Sequence, residues 1–230
     1  TASKFKAACS TNPDKPSKSL IKMICYPSAH LFSNAATKWG ISNESEAREA
    51  YESSIAAQHS ISLLGQWATH KTKLAFLGAS PDGLVFCECC GKGLCEIKCP
   101  CKYKDAMLVA AAVDSIFCLK YDDNGVDLCL DTVHAYCYQL QCQLFVSGVL
   151  DFVVWTAEDL FVQRVLPDND FWDRMLTRAI LFYKKGVLPE MLGNDSHVLL
   201  LSHILVNHNH KTATKMDPGA SSNSTLRVAN

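Results

Sequence analysis

The chain has 230 residues, 48% of them hydrophobic, and a formal net charge of −1. That is ample apolar material for one α/β core, and no uninterrupted apolar run is long enough to cross a bilayer. Near-neutral charge excludes a binder that holds nucleic acid through overall basicity, so any phosphate recognition must come from a local patch or from bound cations.

Residues 1–38 read as helical, with loops around Asn12-Pro13 and Pro27-Ser28. Ala47, Tyr51 and Ile55 then recur at helical spacing, and Ser42 or Asn43 can cap, so the pattern predicts a helix over 43–59. Glu44 falls on the same stripe as Ala47 and Tyr51. An acid there either favours the helix dipole in the first turn or serves a site. A strand-like stretch over 73–77 precedes Gly78-Ala79-Ser80-Pro81-Asp82-Gly83, in which Ser, Pro and Gly fit a type I turn that fixes the direction of Asp82. Residues 84–87 run out as a strand, Gly91-Lys92-Gly93 reverses the chain, and Leu94 to Cys99 returns. Alternation puts Glu96 and Lys98 on one face, roughly 7 Å apart, and Cys95, Ile97 and Cys99 on the other.

Further along, Asp122-Asp123-Asn124-Gly125 marks a turn between Phe117–Tyr121 and Val126–Leu130, predicting a second hairpin. Val133, Cys137, Leu140 and Leu144 predict a helix over 132–146, with Gln141 on nearly the side of Cys137 and Leu144. Two strands follow over 150–156 and 160–166. Asp168 then caps a helix that buries Phe171, Met175, Ala179 and Phe182 and ends at Gly186. The expected organisation is one domain over 1–206 and a polar, Ser/Asn-rich tail over 207–230.

A carboxylate on a turn followed by Glu-x-Lys on a strand is what phosphodiester hydrolysis needs. The substrate is anionic and gains charge as water attacks, so hard cations and a positioned nucleophile are required. Asp82 and Glu96 offer oxygen ligands of the kind Mg²⁺ takes, and Lys98 can orient or deprotonate the water or neutralise the phosphate. Proximity to a metal favours a lowered pKa for such a lysine. Ser-Pro-Asp-Gly alone is a common surface turn and Glu-x-Lys alone an ordinary cross-strand pattern; their order and separation favour the nuclease.

The pattern resembles the phage lambda exonuclease and YqaJ-type viral recombinase branch of the PD-(D/E)XK nucleases. Trp39-Gly40, Glu44, Ala47-Arg48 and Tyr51 are similar to that family's first helix, and Tyr138-Gln139-Leu-Gln141-Cys-Gln143 to its Tyr-x-Gln-x-Gln helix. Thr1-Ala2-Ser3 resembles its opening motif and Leu188-Pro189-Glu190 a closing one, so the resemblance spans roughly 1–190. It implies a restriction-endonuclease-like core with a mixed central β-sheet flanked by helices. It also implies a Mg²⁺-dependent deoxyribonuclease (Mn²⁺ as substitute) that digests duplex DNA from a 5′ end in recombination or repair.

Carried over by position, the catalytic set is Glu44, Asp82, Glu96, Lys98 and Gln141, and the metal ligands are Asp82, Glu96, Glu44 and the Ile97 carbonyl. The 5′-phosphate and DNA contacts are Ser3, Ser80, Gln139, Gln141 and Lys102; interface hydrogen bonding is the plainer role for both glutamines. The family also carries an Arg shortly before Thr-Ala-Ser, leaving open whether this chain is a fragment or lacks that anchor. Double-stranded DNA with a free end, a ring trimer and a single-strand annealing protein are the implied partners, without any membrane. Two alternatives stay open: a structure-selective endonuclease of the same fold, and a non-catalytic DNA- or protein-binding module on that scaffold.

Lys92, Lys98, Lys102 and Lys104 form one basic strip, ordinarily a solvated face. Of the twelve cysteines, Cys9, Cys25, Cys118, Cys129, Cys137 and Cys142 are scattered and six cluster at Cys87, Cys89, Cys90, Cys95, Cys99 and Cys101. Lacking paired Cys-x-x-Cys units, and with alternation directing Cys87 and Cys89 to one face and Cys95 to another strand, they are expected to be free core thiols of a reducing compartment, nucleus or cytoplasm; structural zinc is not expected. The eight histidines show no metalloprotease spacing, and His208 and His210 lie in the polar tail.

Overall fold

A computed structural model describes residues 2–30, 34–56, 59, 61–64, 69–70, 74, 76–147 and 149–193. The expected 207–230 tail lies outside these residues; of the expected 73–77 strand, Leu74, Phe76 and Leu77 are described and form a turn instead, the Leu77 amide bonding the Leu74 carbonyl at 2.8 Å. The described elements in order are α1 (Phe5–Ser10), α2 (Lys18–Cys25), α3 (Ala35–Ala56), β1 (Ile61–Leu64), β2 (Thr69–His70), β3 (Gly78–Ala79), β4 (Gly83–Cys87), β5 (Gly91–Lys98), α4 (Leu108–Ala111), β6 (Leu119–Tyr121), β7 (Leu128–Leu130), α5 (Ala135–Ser147), β8 (Leu150–Trp155), β9 (Leu160–Val165), α6 (Asn169–Phe182) and α7 (Leu188–Met191).

The central sheet has strand order β1-β4-β5-β8-β9, parallel only between β5 and β8 and antiparallel elsewhere. A parallel pair needs a crossover, and α5 supplies its final leg before β8. Alternation sorts the two faces. Leu94, Leu150, Phe152 and Val154 pack with Leu140 and Leu144 of α5. Cys95, Ile97, Val153 and Trp155 pack with Ala47 and Tyr51 of α3. A sheet covered on both faces accounts for the complete burial of β8. Each large apolar side chain so enclosed contributes roughly 1.5–3 kcal/mol. A third layer joins α1 and α6 to the outer side of α5, where Phe145 stacks on Trp172 at 3.9 Å.

The first hairpin forms, but it reverses at Glu88–Cys90 rather than at the expected Gly91-Lys92-Gly93, which pairs with β4 as the start of β5; Gly91, at the junction, has φ of 82°. The second is shorter than its apolar run, with Gly125 at φ of 70°. Three helix boundaries differ from the sequence reading. Helix α3 begins at Ala35, because Asn34 Oδ1 accepts from the Thr37 amide at 2.8 Å. Glu44 therefore sits in mid-helix, out of reach of a first-turn dipole effect. Val133 is exposed and precedes α5, which starts at Ala135. Gly186 does not stop the C-terminal helix: Asp168 caps α6 by accepting from Phe171 at 2.8 Å, and the chain continues through a π-helical turn over Tyr183–Val187, where Gly186 admits Ile21.

Candidate active site

Three elements deliver the acidic residues. Asp82 leads into β4, its carboxylate accepts the Ile97 amide at 2.7 Å, and its own amide bonds the Cys95 carbonyl at 3.1 Å, so the turn is laced to β5. Glu44 projects from α3 and pairs with Arg48 at 3.1 Å, one helical turn on. Arg48 also donates to the Asp82 carbonyl at 2.7 Å, tying α3 to the turn. Glu44, Asp82, Ile97, Lys98, Cys99 and Tyr136 are among the residues lining one cavity of about 250 Å³.

Glu96 lies deeper, only 2% exposed on the α5 side of the sheet. A carboxylate there needs partners, and it has three: Lys98 at 2.5 Å, Gln143 at 2.6 Å, and Gln139. Lys98 thus joins the buried acid to the cavity wall, its ammonium also 5.0 Å from the centre of the Tyr136 ring.

The charges explain the protonation behaviour. Burial pushes the Asp82 carboxyl up to about 6, reinforced by Glu96 and, more weakly, by Glu44; Lys98 and the Ile97 amide pull in the opposite direction. Burial opposes the charge on Lys98, yet Glu96 and Asp82 outweigh it and raise its pKa. The lowered lysine pKa anticipated from the sequence is thus not what these side chains alone produce. They favour an ammonium.

The donor set is all oxygen, as Mg²⁺ prefers, but the structure does not bring the three carboxylates together: Asp82 and Glu44 line the cavity, Glu96 does not, and their oxygens do not all lie within 4.8 Å of one another, so the residues fit the ion by chemistry and would have to close around it. The cavity has room for the several waters that this ion retains. Glu96 has used three of its roughly four lone-pair positions and keeps capacity for one more contact.

The remaining sequence candidates fall elsewhere. Gln141 faces away from Glu96: its amide donates to the Leu166 carbonyl at 2.9 Å and its carbonyl accepts the Asp168 amide at 2.9 Å. The reason is angular. Residues 139 and 143 are one turn apart and share a face, whereas 141 is rotated by about 200° from 139. Gln143 belongs to the glutamine motif read from the sequence but was given no place in the site; its spacing of four from Gln139 was the available signal. Arg48 was also overlooked as a site residue, though its i,i+4 spacing from Glu44 was visible. Ser80 is exposed two positions before Asp82, and Ser3 is exposed at the start of the chain. Lys102 pairs with Asp114 at 2.5 Å, its side chain 59% exposed, and does not line the cavity.

A mixed five-stranded sheet carrying an acid turn, a Glu-x-Lys strand and a flanking acidic helix defines the PD-(D/E)XK class of fold. The chain belongs to the YqaJ-like viral recombinase domain family, whose profile matches residues 1–150. Among solved structures it is similar to the alkaline exonuclease LHK-Exo of Laribacter hongkongensis, with 22% identity, 92% of this chain and 93% of that one covered, and a TM-score of 0.53. LHK-Exo in complex with dAMP gives 23% identity, the same coverage and a TM-score of 0.54. A phage-related exonuclease from Haemophilus somnus 129PT gives 14% identity, coverage of 88% and 95%, and a TM-score of 0.52. No curated protein matches the chain by sequence.

Proposed function

We propose that this chain is a divalent-cation-dependent deoxyribonuclease that degrades duplex DNA from a free 5′ end, leaving a 3′ single strand for recombination or repair. The observation that carries the reading is the presence of Glu44, Asp82 and Lys98 in the walls of one cavity, with Glu96 holding the lysine from behind. Asp82, Glu96, Glu44 and the Ile97 carbonyl would hold Mg²⁺, or Mn²⁺ in its place. The bound cation supplies Lewis-acid charge to the phosphate and lowers the pKa of water for attack.

The chain's own residues contribute positioning and charge. Lys98, kept as an ammonium by Glu96 and Asp82, donates to the scissile phosphate or to the attacking water and offsets the negative charge that develops there. Gln139 and Gln143 fix the Glu96 carboxylate, limiting the orientations in which it can act. Arg48 holds Glu44 and the Asp82 turn in register. Ser3, Ser80 and Lys102 remain the proposed receivers of the 5′-phosphate; Lys102 would first leave Asp114. The neighbour that binds dAMP supports the reading, since a deoxynucleoside monophosphate is the kind of product this reaction releases. A ring of copies around the duplex and an annealing partner for the 3′ strand belong to this reading through family resemblance alone. Among the described residues no helix is long and apolar enough to cross a membrane.

The test is digestion of 5′- and 3′-labelled linear duplex beside a covalently closed circle, with Mg²⁺ or EDTA. Loss of the 5′ label first, an intact circle, no activity in EDTA, and a decrease on the order of 10³-fold in Asp82→Ala are expected. Equal degradation by wild type and Asp82→Ala would overturn the site. Cutting of the circle would favour an endonuclease.

A further inference from the structure

The β4–β5 turn carries a donor cluster that the nuclease chemistry does not use. His59 Nδ1 and the sulfurs of Cys87, Cys89 and Cys90 all lie within 4.8 Å of one another, forming the only grouping of three or more such ligands that meets among the described residues. Two features of the sequence stood against a metal here: the lack of paired Cys-x-x-Cys units and alternation along a strand. Alternation stops at Cys87, where β4 ends; the turn then folds Cys90 back to form a single Cys-x-x-Cys with Cys87, and His59 arrives from beyond α3.

The spacings discriminate among the chemistries open to such a cluster. Zinc at about 2.3 Å from sulfur and about 2.0–2.1 Å from nitrogen, in a tetrahedron, requires donors about 3.8 Å apart for sulfur pairs and about 3.5 Å for sulfur and nitrogen. His59 Nδ1 stands 3.2 Å from Cys89, 3.6 Å from Cys87 and 3.4 Å from Cys90. The sulfurs of Cys87 and Cys89 are 3.1 Å apart and those of Cys89 and Cys90 3.5 Å. These distances are well beyond a disulfide bond of about 2.05 Å; the three nitrogen–sulfur distances and the Cys89–Cys90 distance fall within about 0.3 Å of the edges of a zinc tetrahedron, and Cys87 and Cys89 would part by about 0.7 Å to reach theirs. Two groups suited to thiolate charge are in place: the Cys90 amide donates to Cys87 Sγ at 3.4 Å, and Arg164 reaches Cys90 from β9.

We propose that His59 Nδ1 and the thiolates of Cys87, Cys89 and Cys90 bind one structural Zn²⁺. Binding would release one proton from each of the three thiols to solvent, and four protein ligands leave no open position for catalysis. The site has a mechanical meaning. The His59 amide bonds the Ile55 carbonyl at 2.9 Å, so His59 is tied to the last turn of α3, the helix bearing Glu44 and Arg48. Zinc would fasten that end to the turn of the hairpin bearing Glu96 and Lys98, setting the angle between the two elements from outside the cavity.

This proposal is independent of the nuclease reading and is tested by metal content. The full chain, purified with a non-chelating reductant and dialysed, is expected to retain one zinc per chain by elemental analysis. Exchange with Co²⁺ is expected to give the intense visible and charge-transfer bands of tetrahedral thiolate-bound cobalt. Asp82→Asn should keep both signals, and the double substitution Cys89→Ser, Cys90→Ser should lose both. Retention of zinc by the folded double variant would overturn the proposal, as would a wild-type protein without zinc whose cobalt spectrum lacks thiolate bands. Should the double variant fail to fold, the wild-type cobalt spectrum decides alone.

Discussion

Two carboxylates one strand apart are treated in opposite ways by this protein. Glu96 is enclosed by an ammonium and two amides, whereas Asp82 has one amide and faces other acids. The folded-state pKa of Asp82, about 6, is raised above its ordinary value of 3.8, so folding favours the neutral acid. Its contribution to stability is present in full below pH 3.8 and is lost as pH rises through 6. In EDTA, the stability of wild type relative to Asp82→Asn should therefore fall by roughly 1–3 kcal/mol between pH 4 and pH 7. Urea denaturation across that range measures it, and a constant difference would contradict the electrostatic picture. Asp82, Glu96 and Lys98 were legible in the sequence because a turn and a period of two leave little freedom in where such side chains point. The partners of Glu96 were not, since they come from a helix more than 40 residues away.

At the scale of elements, α5 shows why one glutamine was mistaken for another. An apolar stripe identifies the inward face only when another face meets water, and from Cys137 through Leu144 α5 is buried except at the half-buried Tyr138. With no polar face to exclude, Cys137, Leu140 and Leu144 could not say whether Gln139 or Gln141 looked at the sheet. Gln141 clasps the link between β9 and α6 instead. Gln141→Ala should leave the Leu166 carbonyl and Asp168 amide unpaired, costing about 1–3 kcal/mol in urea denaturation with DNA cleavage unchanged. Lost cleavage at retained stability would return Gln141 to the site. The start of α3 was misread for a related reason: Asn34 supplied a cap eight residues ahead of Ser42, before the apolar period became regular.

At the scale of the whole molecule, a helix, a turn and a hairpin distant in sequence converge because the sheet is covered on both faces. Tyr51 bonds the buried Asp151 at 2.8 Å and anchors α3 to β8, while Arg48 links the same helix to the Asp82 turn. Four of the five strands of the mixed sheet and its helical cover were legible as strand and helix periods; the edge strand β1, four residues long, was not. The His59 and cysteine cluster was not, because its donors meet through a reversal that no period describes. The most direct measurement of the central claim is anomalous scattering from crystals soaked in Mn²⁺. The account predicts a manganese peak in the cavity, ligated by Asp82 and Glu96, with Glu44 bound directly or through a water. An absence of manganese from that cavity at saturating Mn²⁺, or a peak remote from Asp82, would contradict it.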